Sequence, residues 1–228
     1  MGKGIFITGT GTDVGKTYVT ALIVKKLREA GKNAGYYKAA ISGAEKGPDG
    51  TLLPGDAIYV NKVAGIGERL DRLVSYSYYE AVSPHLAARI NGQPINFHKV
   101  RRDYEEALNK YDLLTVEGSG GIICPLRWDD KQHVIIDDLV CQLKLGAIVV
   151  ADAGLGTINS AVLTLEHLYL RHIPCRGVIL NNWHPGNVME EDNRRMIEEL
   201  AGVKVIATVE PGATELDMDP EYLASLYA

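Results

Sequence analysis

Apolar residues follow two rhythms along this chain. Short unbroken runs recur at Ile5-Phe6-Ile7, Leu113-Leu114-Thr115-Val116, Ala147-Ile148-Val149-Val150-Ala151 and Gly177-Val178-Ile179-Leu180. Between them, apolar positions fall three and four apart: Val19, Leu22, Ile23, Leu27 and Ala30, and later Ile158, Ala161, Val162, Leu165, Leu168 and Tyr169. Unbroken runs are strands buried on both faces, and the three-four spacing is one face of a helix. Their alternation predicts a doubly wound α/β fold, a mainly parallel sheet of about seven strands with helices on both faces.

Weaker signals fill the gaps. Gly35-Tyr36-Tyr37-Lys38 and Val203 to Ala207 read as strands, and Leu73 to Tyr79 as an edge strand. Helices are expected from Asp56 to Val63, after Ser83-Pro84-His85, and over Asn96 to Asn109, Val134 to Leu143 and Met189 to Leu200. Gly31 is placed to close the first helix. The Gly-, Pro-, Ser- and Asp-rich stretch 41–56 reads as a long loop, a length often tied to function. Gly118-Ser119-Gly120-Gly121 and Asp152 to Thr157 read as turns. In such a sheet the ligand sits at the carboxyl ends of the strands. That rule groups Thr8 to Thr12, Lys38, Glu117, Asp152, Asn181 and Glu210 on one edge.

Composition narrows the class. At 228 residues, 46% hydrophobic and 23% charged, the chain can bury a full core, and one domain over 1–228 is expected. A net charge of −5 argues against nonspecific nucleic-acid binding but not against a local phosphate site. No signal peptide and no bilayer-length apolar run is evident. Cys124, Cys141 and Cys175 form no Cys-x-x-Cys pair, which fits a reducing cytoplasm better than disulfides or zinc.

The densest chemistry is Gly9-Thr10-Gly11-Thr12-Asp13-Val14-Gly15-Lys16-Thr17, between the first strand and the first helix. Glycines let the backbone approach an anion, and the helix start points free N–H groups at it. Lys16 adds charge near the β- and γ-phosphates, and the Thr17 hydroxyl suits Mg²⁺. The first glycine of the general motif falls on Thr10, one residue after Gly9, so strand–loop–helix context carries the reading.

Lys38, at an expected strand end beside this loop, is placed to stabilise a transferring phosphoryl group. Asp56 and Glu117 are candidate Mg²⁺ ligands with Thr17, since magnesium takes few protein oxygens plus phosphate and water. Asp56 reads equally as a helix N-cap. Gly118 to Gly121 offer bare backbone for a close ligand, or a plain turn. Asn181-Asn182 could face an adenine or close a turn. Gly154-Leu155-Gly156-Thr157 could hold an anion at a helix start, or simply cap it. His85 has no metal-ligand spacing and reads as structural.

Together these residues resemble the dethiobiotin synthetases, over nearly the whole chain. The resemblance rests on Phe6 to Thr17, Gly35 to Lys38 with Ser42-Gly43, Ser83-Pro84-His85, Val116 to Gly121 and Gly156 to Asn159. It implies ATP- and Mg²⁺-dependent carboxylation of 7,8-diaminononanoate with CO₂ or bicarbonate, and ring closure to dethiobiotin, ADP and phosphate. It further implies Lys38 as the active-site lysine, with Lys16 and Thr12 at the carbamate and γ-phosphate. The nucleotide would be held by Asp13, Val14, Gly15, Lys16, Thr17, Tyr18, Asp56, Glu117, Gly118, Ser119, Gly120, Asn181, Asn182, Glu210, Pro211 and Gly212. Thr17, Asp56 and Glu117 would hold the metal. Ser42, Gly121, Gly156, Thr157 and Asn159 would contact the diamine acid, the last three across a homodimer interface. Asn193 stands where some relatives place a tyrosine at the substrate carboxylate.

A different class, the switch ATPases of chromosome partition and septum positioning, shares this loop type. Its membrane forms end in a basic amphipathic helix. This chain ends Glu215-Leu216-Asp217-Met218-Asp219-Pro220-Glu221, acidic and broken by proline. Neither nucleic acid nor membrane is therefore expected as a partner.

Overall fold

The computed structural model describes residues 2–228. In chain order, β1 (Lys3–Gly9), α1 (Lys16–Glu29) and β2 (Ala34–Ile41) lead into a small hairpin, β3 (Glu45–Lys46) and β4 (Leu52–Leu53). Then come α2 (Gly55–Val63), α3 (Leu70–Leu73), β5 (Val74–Ser77), α4 (Pro84–Ile90), α5 (Phe97–Lys110) and β6 (Leu113–Gly121). A second hairpin, β7 (Pro125–Trp128) and β8 (His133–Ile135), precedes α6 (Ile136–Leu143), β9 (Ala147–Asp152) and α7 (Thr157–Leu170). The chain closes with β10 (Cys175–Asn181), α8 (Val188–Ala201), β11 (Val205–Val209) and α9 (Pro220–Ser225).

The central sheet has seven strands in the order β11-β10-β9-β1-β6-β2-β5, all parallel, as the unbroken apolar runs predict. Side chains alternate across it. Ile5, Ile7 and Tyr36 face a core shared with Leu22, Ile23 and Leu27 of α1, Val60 of α2 and Leu223 of α9. Phe6, Tyr37 and Val116 face the opposite core, with Val100 and Leu108 of α5, Leu139 of α6, Leu165 of α7 and Ile197 of α8. Local chemistry sets the helix ends. Asn96, Asn187 and Asp219 accept backbone N–H groups at the starts of α5, α8 and α9. Gly31, at φ 77°, turns the chain after α1 and donates its N–H to the Arg28 carbonyl.

Several boundaries differ from expectation, each for a physical reason. Lys38 lies inside β2, not at its end, because Ala39, Ala40 and Ile41 are buried and the strand goes on to pair Ala40 with Tyr76 and Ile41 with Ser77. Gly118 to Gly121 are not a turn but the end of β6. The bare glycine passes under Phe6, where a Cβ on Gly118 would come within 2.8 Å of the ring. The helix expected from Val134 starts at Ile136, since β-branched Val134 and Ile135 pair with β7. The 41–56 loop contains the β3–β4 hairpin. The acidic tail, with no expected element, forms α9 on Asp219-Pro220 and buries Tyr227, whose hydroxyl lies 2.6 Å from Thr115 Oγ1. The edge position of β5 matches expectation.

Candidate active site

The loop between β1 and α1 wraps the helix start. Gly15 occupies the left-handed region at φ 87°, and a Cβ there would lie 2.1 Å from Asn181 Nδ2. That amide donates to the Val14 carbonyl at 3.1 Å, so Asn181 braces the loop from the end of β10. Lys16 donates from Nζ to the Gly11 carbonyl at 2.7 Å. Burial pulls its pKa down, and the neighbouring Lys38 charge pulls the same way.

Strand register makes the centre. Lys38 of β2 pairs with Glu117 of β6, so both side chains leave the same face. Lys38 Nζ lies 2.6 Å from Glu117 Oε1 and 2.6 Å from Asp56 Oδ2. Thr17 Oγ1 donates to Glu117 Oε1 at 2.7 Å, and the Tyr36 hydroxyl donates to Glu117 Oε2 at 3.1 Å. Lys38, Glu117 and Tyr36 are almost fully buried. Burial alone would lower the Lys38 pKa, but Glu117 and Asp56 outweigh it and raise it. Burial pushes the Asp56 carboxyl up, and the Lys38 ammonium outweighs that and holds it below its ordinary value. Asp56 is the second residue of α2, not its cap, and Pro54 takes the cap position.

Thr17, Asp56 and Glu117 thus bring two carboxylates and a hydroxyl around one point, where an ammonium already bridges Asp56 and Glu117. Among the described residues there is no cluster of three or more His, Cys, Asp or Glu that could hold a metal. This hard, sparse oxygen set fits Mg²⁺, which draws most of its shell from phosphate and water.

A cleft of about 580 Å³ opens over this centre. It is lined by Thr12, Asp13, Gly15, Lys16, Thr17, Tyr18, Lys38, Ser42, Asp56, Glu117, Ser119 and Gly120, with Ile41 and Tyr59 in addition. Ser119 Oγ donates to the Ala40 carbonyl at 2.7 Å. Val14, Gly118, Gly121, Asn181, Asn182, Glu210, Pro211 and Gly212 do not line it. Tyr18 bonds the residue just after Gly212, its hydroxyl donating to the Ala213 carbonyl. Asn182 donates to Asp152 Oδ2 at 2.6 Å.

Gly156, Thr157 and Asn159 lie outside this cleft, at the start of α7. Asn193 is buried beneath their turn. Its Nδ2 donates to the Ala153 and Gly154 carbonyls at 2.9 and 3.0 Å, which makes it a brace for that turn.

A family model described as an AAA domain matches residues 3–215. An ATP-dependent dethiobiotin synthetase of Brachyspira hyodysenteriae is 48% identical over 95% of this chain and 96% of its own length. One of Clostridium botulinum is 47% identical over 100% of this chain and 99% of its own. The chain belongs to the ATP-dependent dethiobiotin synthetases. A ParA family ATPase from Chlorobium tepidum superposes with a TM-score of 0.55 at 13% identity, over 99% of this chain and 90% of that one. At that identity the likeness is one of fold.

In this synthetase family member, two cleft residues and one tyrosine buried behind the cleft escaped the sequence reading. Tyr36 stands two before Lys38 on the same strand face, and Tyr59 stands three after Asp56 on the same helix face. Period-two and period-three spacing from the charged residues would have found both. Ile41 became visible only once β2 extended to it. Among the described residues no helix is long and apolar enough to cross a membrane.

Proposed function

We propose that this chain uses ATP and CO₂ to carboxylate 7,8-diaminononanoate and close its ureido ring, giving dethiobiotin, ADP and phosphate in the cytoplasm. The observation that carries the reading is the Lys38–Glu117 register pair. It brings an ammonium, two carboxylates and the Thr17 hydroxyl together in the phosphate-loop cleft of a chain 48% identical to a dethiobiotin synthetase.

One substrate amine takes up CO₂ as a carbamate and releases a proton. A carbamate oxygen attacks the γ-phosphorus, and ADP leaves. The second amine attacks the carbonyl carbon of the resulting mixed anhydride; phosphate leaves and the amine gives up a proton as the ring closes. No tuned general base is needed. The reacting oxygens need to be held in line, with positive charge around them. Lys16 and Lys38 supply that charge, and Thr12 and the loop N–H groups orient the γ-phosphate. Ser42 and Gly121 flank the diamine, and Asp13 to Tyr18 with Gly118 to Gly120 hold the phosphates. Asn181, Asn182 and Glu210 to Gly212 bound the base. Thr17, Asp56 and Glu117 would hold Mg²⁺, which neutralises charge on the transferring phosphoryl group when bound.

The substrate carboxylate is held by Gly156, Thr157 and Asn159 of a second copy. Their position outside the cleft supports a homodimer, as do Leu155, which is 91% exposed, and the exposed Leu163 and Val188 on neighbouring helices. Phosphate release from Mg·ATP, with and without the diamine acid and bicarbonate, tests the reading. Release that requires all components, with dethiobiotin detected by mass spectrometry, is expected. Release indifferent to the diamine, or stimulated by DNA or lipid, overturns it in favour of a switch ATPase.

A further inference from the structure

Glu117 carries more contacts than any other carboxylate of the centre. Its Oε1 accepts from both Thr17 and Lys38, and its Oε2 accepts from a phenol, Tyr36, at 3.1 Å. Tyr36 is wholly buried and reaches no part of the cleft itself. We propose that Tyr36 is a positioning residue that orients the Glu117 carboxylate for divalent metal. The inference rests on the assignment of Thr17, Asp56 and Glu117 as the metal-holding oxygens.

The physical argument is geometric. A carboxylate bonded only through Oε1 can pivot about its terminal torsion, which is broad and two-fold. A donor on Oε2 fixes the plane and leaves Oε1 pointing into the cleft. Strand alternation makes this role specific to one of two adjacent tyrosines. Tyr36 shares a face with Lys38. Tyr37 points the other way, where its hydroxyl donates to the Val100 carbonyl at 3.0 Å and lies 2.7 Å from Ser75 Oγ. The two residues are equally buried and each bonds through its hydroxyl, so Tyr37 is a built-in control for loss of packing or of a hydrogen bond. Partners that orient a metal ligand from behind typically contribute about 10- to 100-fold in metal affinity.

The test is direct Mn²⁺ binding in the presence of ADP, followed by electron paramagnetic resonance, on wild type, Tyr36→Phe, Tyr37→Phe and Glu117→Gln. Melting temperatures of all four are read without metal. Tyr36→Phe is expected to weaken Mn²⁺ about 10-fold or more. Tyr37→Phe is expected to bind as wild type, even if both variants melt lower by a similar amount. Wild-type affinity in Tyr36→Phe alongside weakened binding in Glu117→Gln overturns the positioning role alone. Equal weakening in Tyr36→Phe and Tyr37→Phe also overturns it, as a general packing effect. Wild-type affinity in Glu117→Gln overturns the metal assignment beneath it.

Discussion

Two glycine-capped helix starts stand at the carboxyl edge of neighbouring strands, and they differ in what surrounds them. α1 begins after Gly15 at φ 87° and α7 after Gly156 at φ 89°. Neither has a side-chain cap or an acidic residue in its first turn, so both leave backbone N–H groups for an anion. Around α1 stand two lysines, two carboxylates and the Asn181 brace. At α7 the turn is tied to Asp152, whose Oδ1 accepts the Gly154 N–H at 2.8 Å, and is propped by Asn193, with exposed Leu155 at its tip. In the proposed reaction the same backbone device serves two tasks. Dense charge suits a phosphoryl group that changes during the reaction, and a bare helix start suits a carboxylate that is only held.

The largest effect that separates them is on turnover. Lys38→Ala is expected to lower turnover about 10²- to 10³-fold while ATP still binds. It also leaves Glu117 buried without its cation, so the metal-free protein should lose about 3–5 kcal/mol in denaturant titration. Near-wild-type turnover would remove Lys38 from the chemistry. Next come the glycines themselves. Gly15→Ala combines left-handed strain of about 1–3 kcal/mol with a Cβ driven onto Asn181 Nδ2, and ATP affinity measured by calorimetry should fall at least about 10-fold. Gly156→Ala meets no atom within 4 Å and bears the strain alone, so ATP affinity should stay at wild type. Equal loss of ATP binding in both would erase the distinction.

Smaller still is Asn159→Asp, which places a negative charge on the exposed first turn of α7. It should raise KM for the diamine acid about fivefold, on the order of 1 kcal/mol, and leave KM for ATP unchanged. The smallest effect is on pH dependence. Lys38 holds Asp56 below its ordinary 3.8 against the opposing push of burial, so the Asp56 contribution is complete above that value and fades as pH falls. Lys38, raised above its ordinary 10.5, contributes below that value and loses its contribution as pH climbs past it. Asp56→Asn should flatten the acid limb of a stability–pH curve, and an unchanged limb would contradict the pairing.

How much of this was legible in the sequence follows from how far apart the partners lie. The phosphate loop is local, and its glycines, lysine and threonine read directly. Lys38 was found by a different route from the one the structure shows. It was read as a strand end, whereas it sits mid-strand and earns its place by register with Glu117, 79 residues away. Glycines 118 to 121 were misread because a run without side chains looks like a turn until Phe6 is seen above it. Asn181 reads from sequence as a base contact or a turn; that its amide also bonds Val14 across 167 residues is a pairing no periodicity announces. α9 was missed because acidic and proline-broken composition hid a well-formed start at Asp219-Pro220.

The central claim is that the two helix starts of one working site come from different chains. Lys38→Ala and Asn159→Asp subunits, co-expressed with distinct tags, are assayed at diamine concentrations below the wild-type KM. In a two-fold dimer with shared sites, the mixed species holds one intact site, and with the residual activity of the Asn159→Asp dimer the mixture should recover roughly 30% of wild-type turnover, against a parental mean of roughly 10%. Turnover that stays at that mean would contradict the claim and place both helix starts in the service of a single chain.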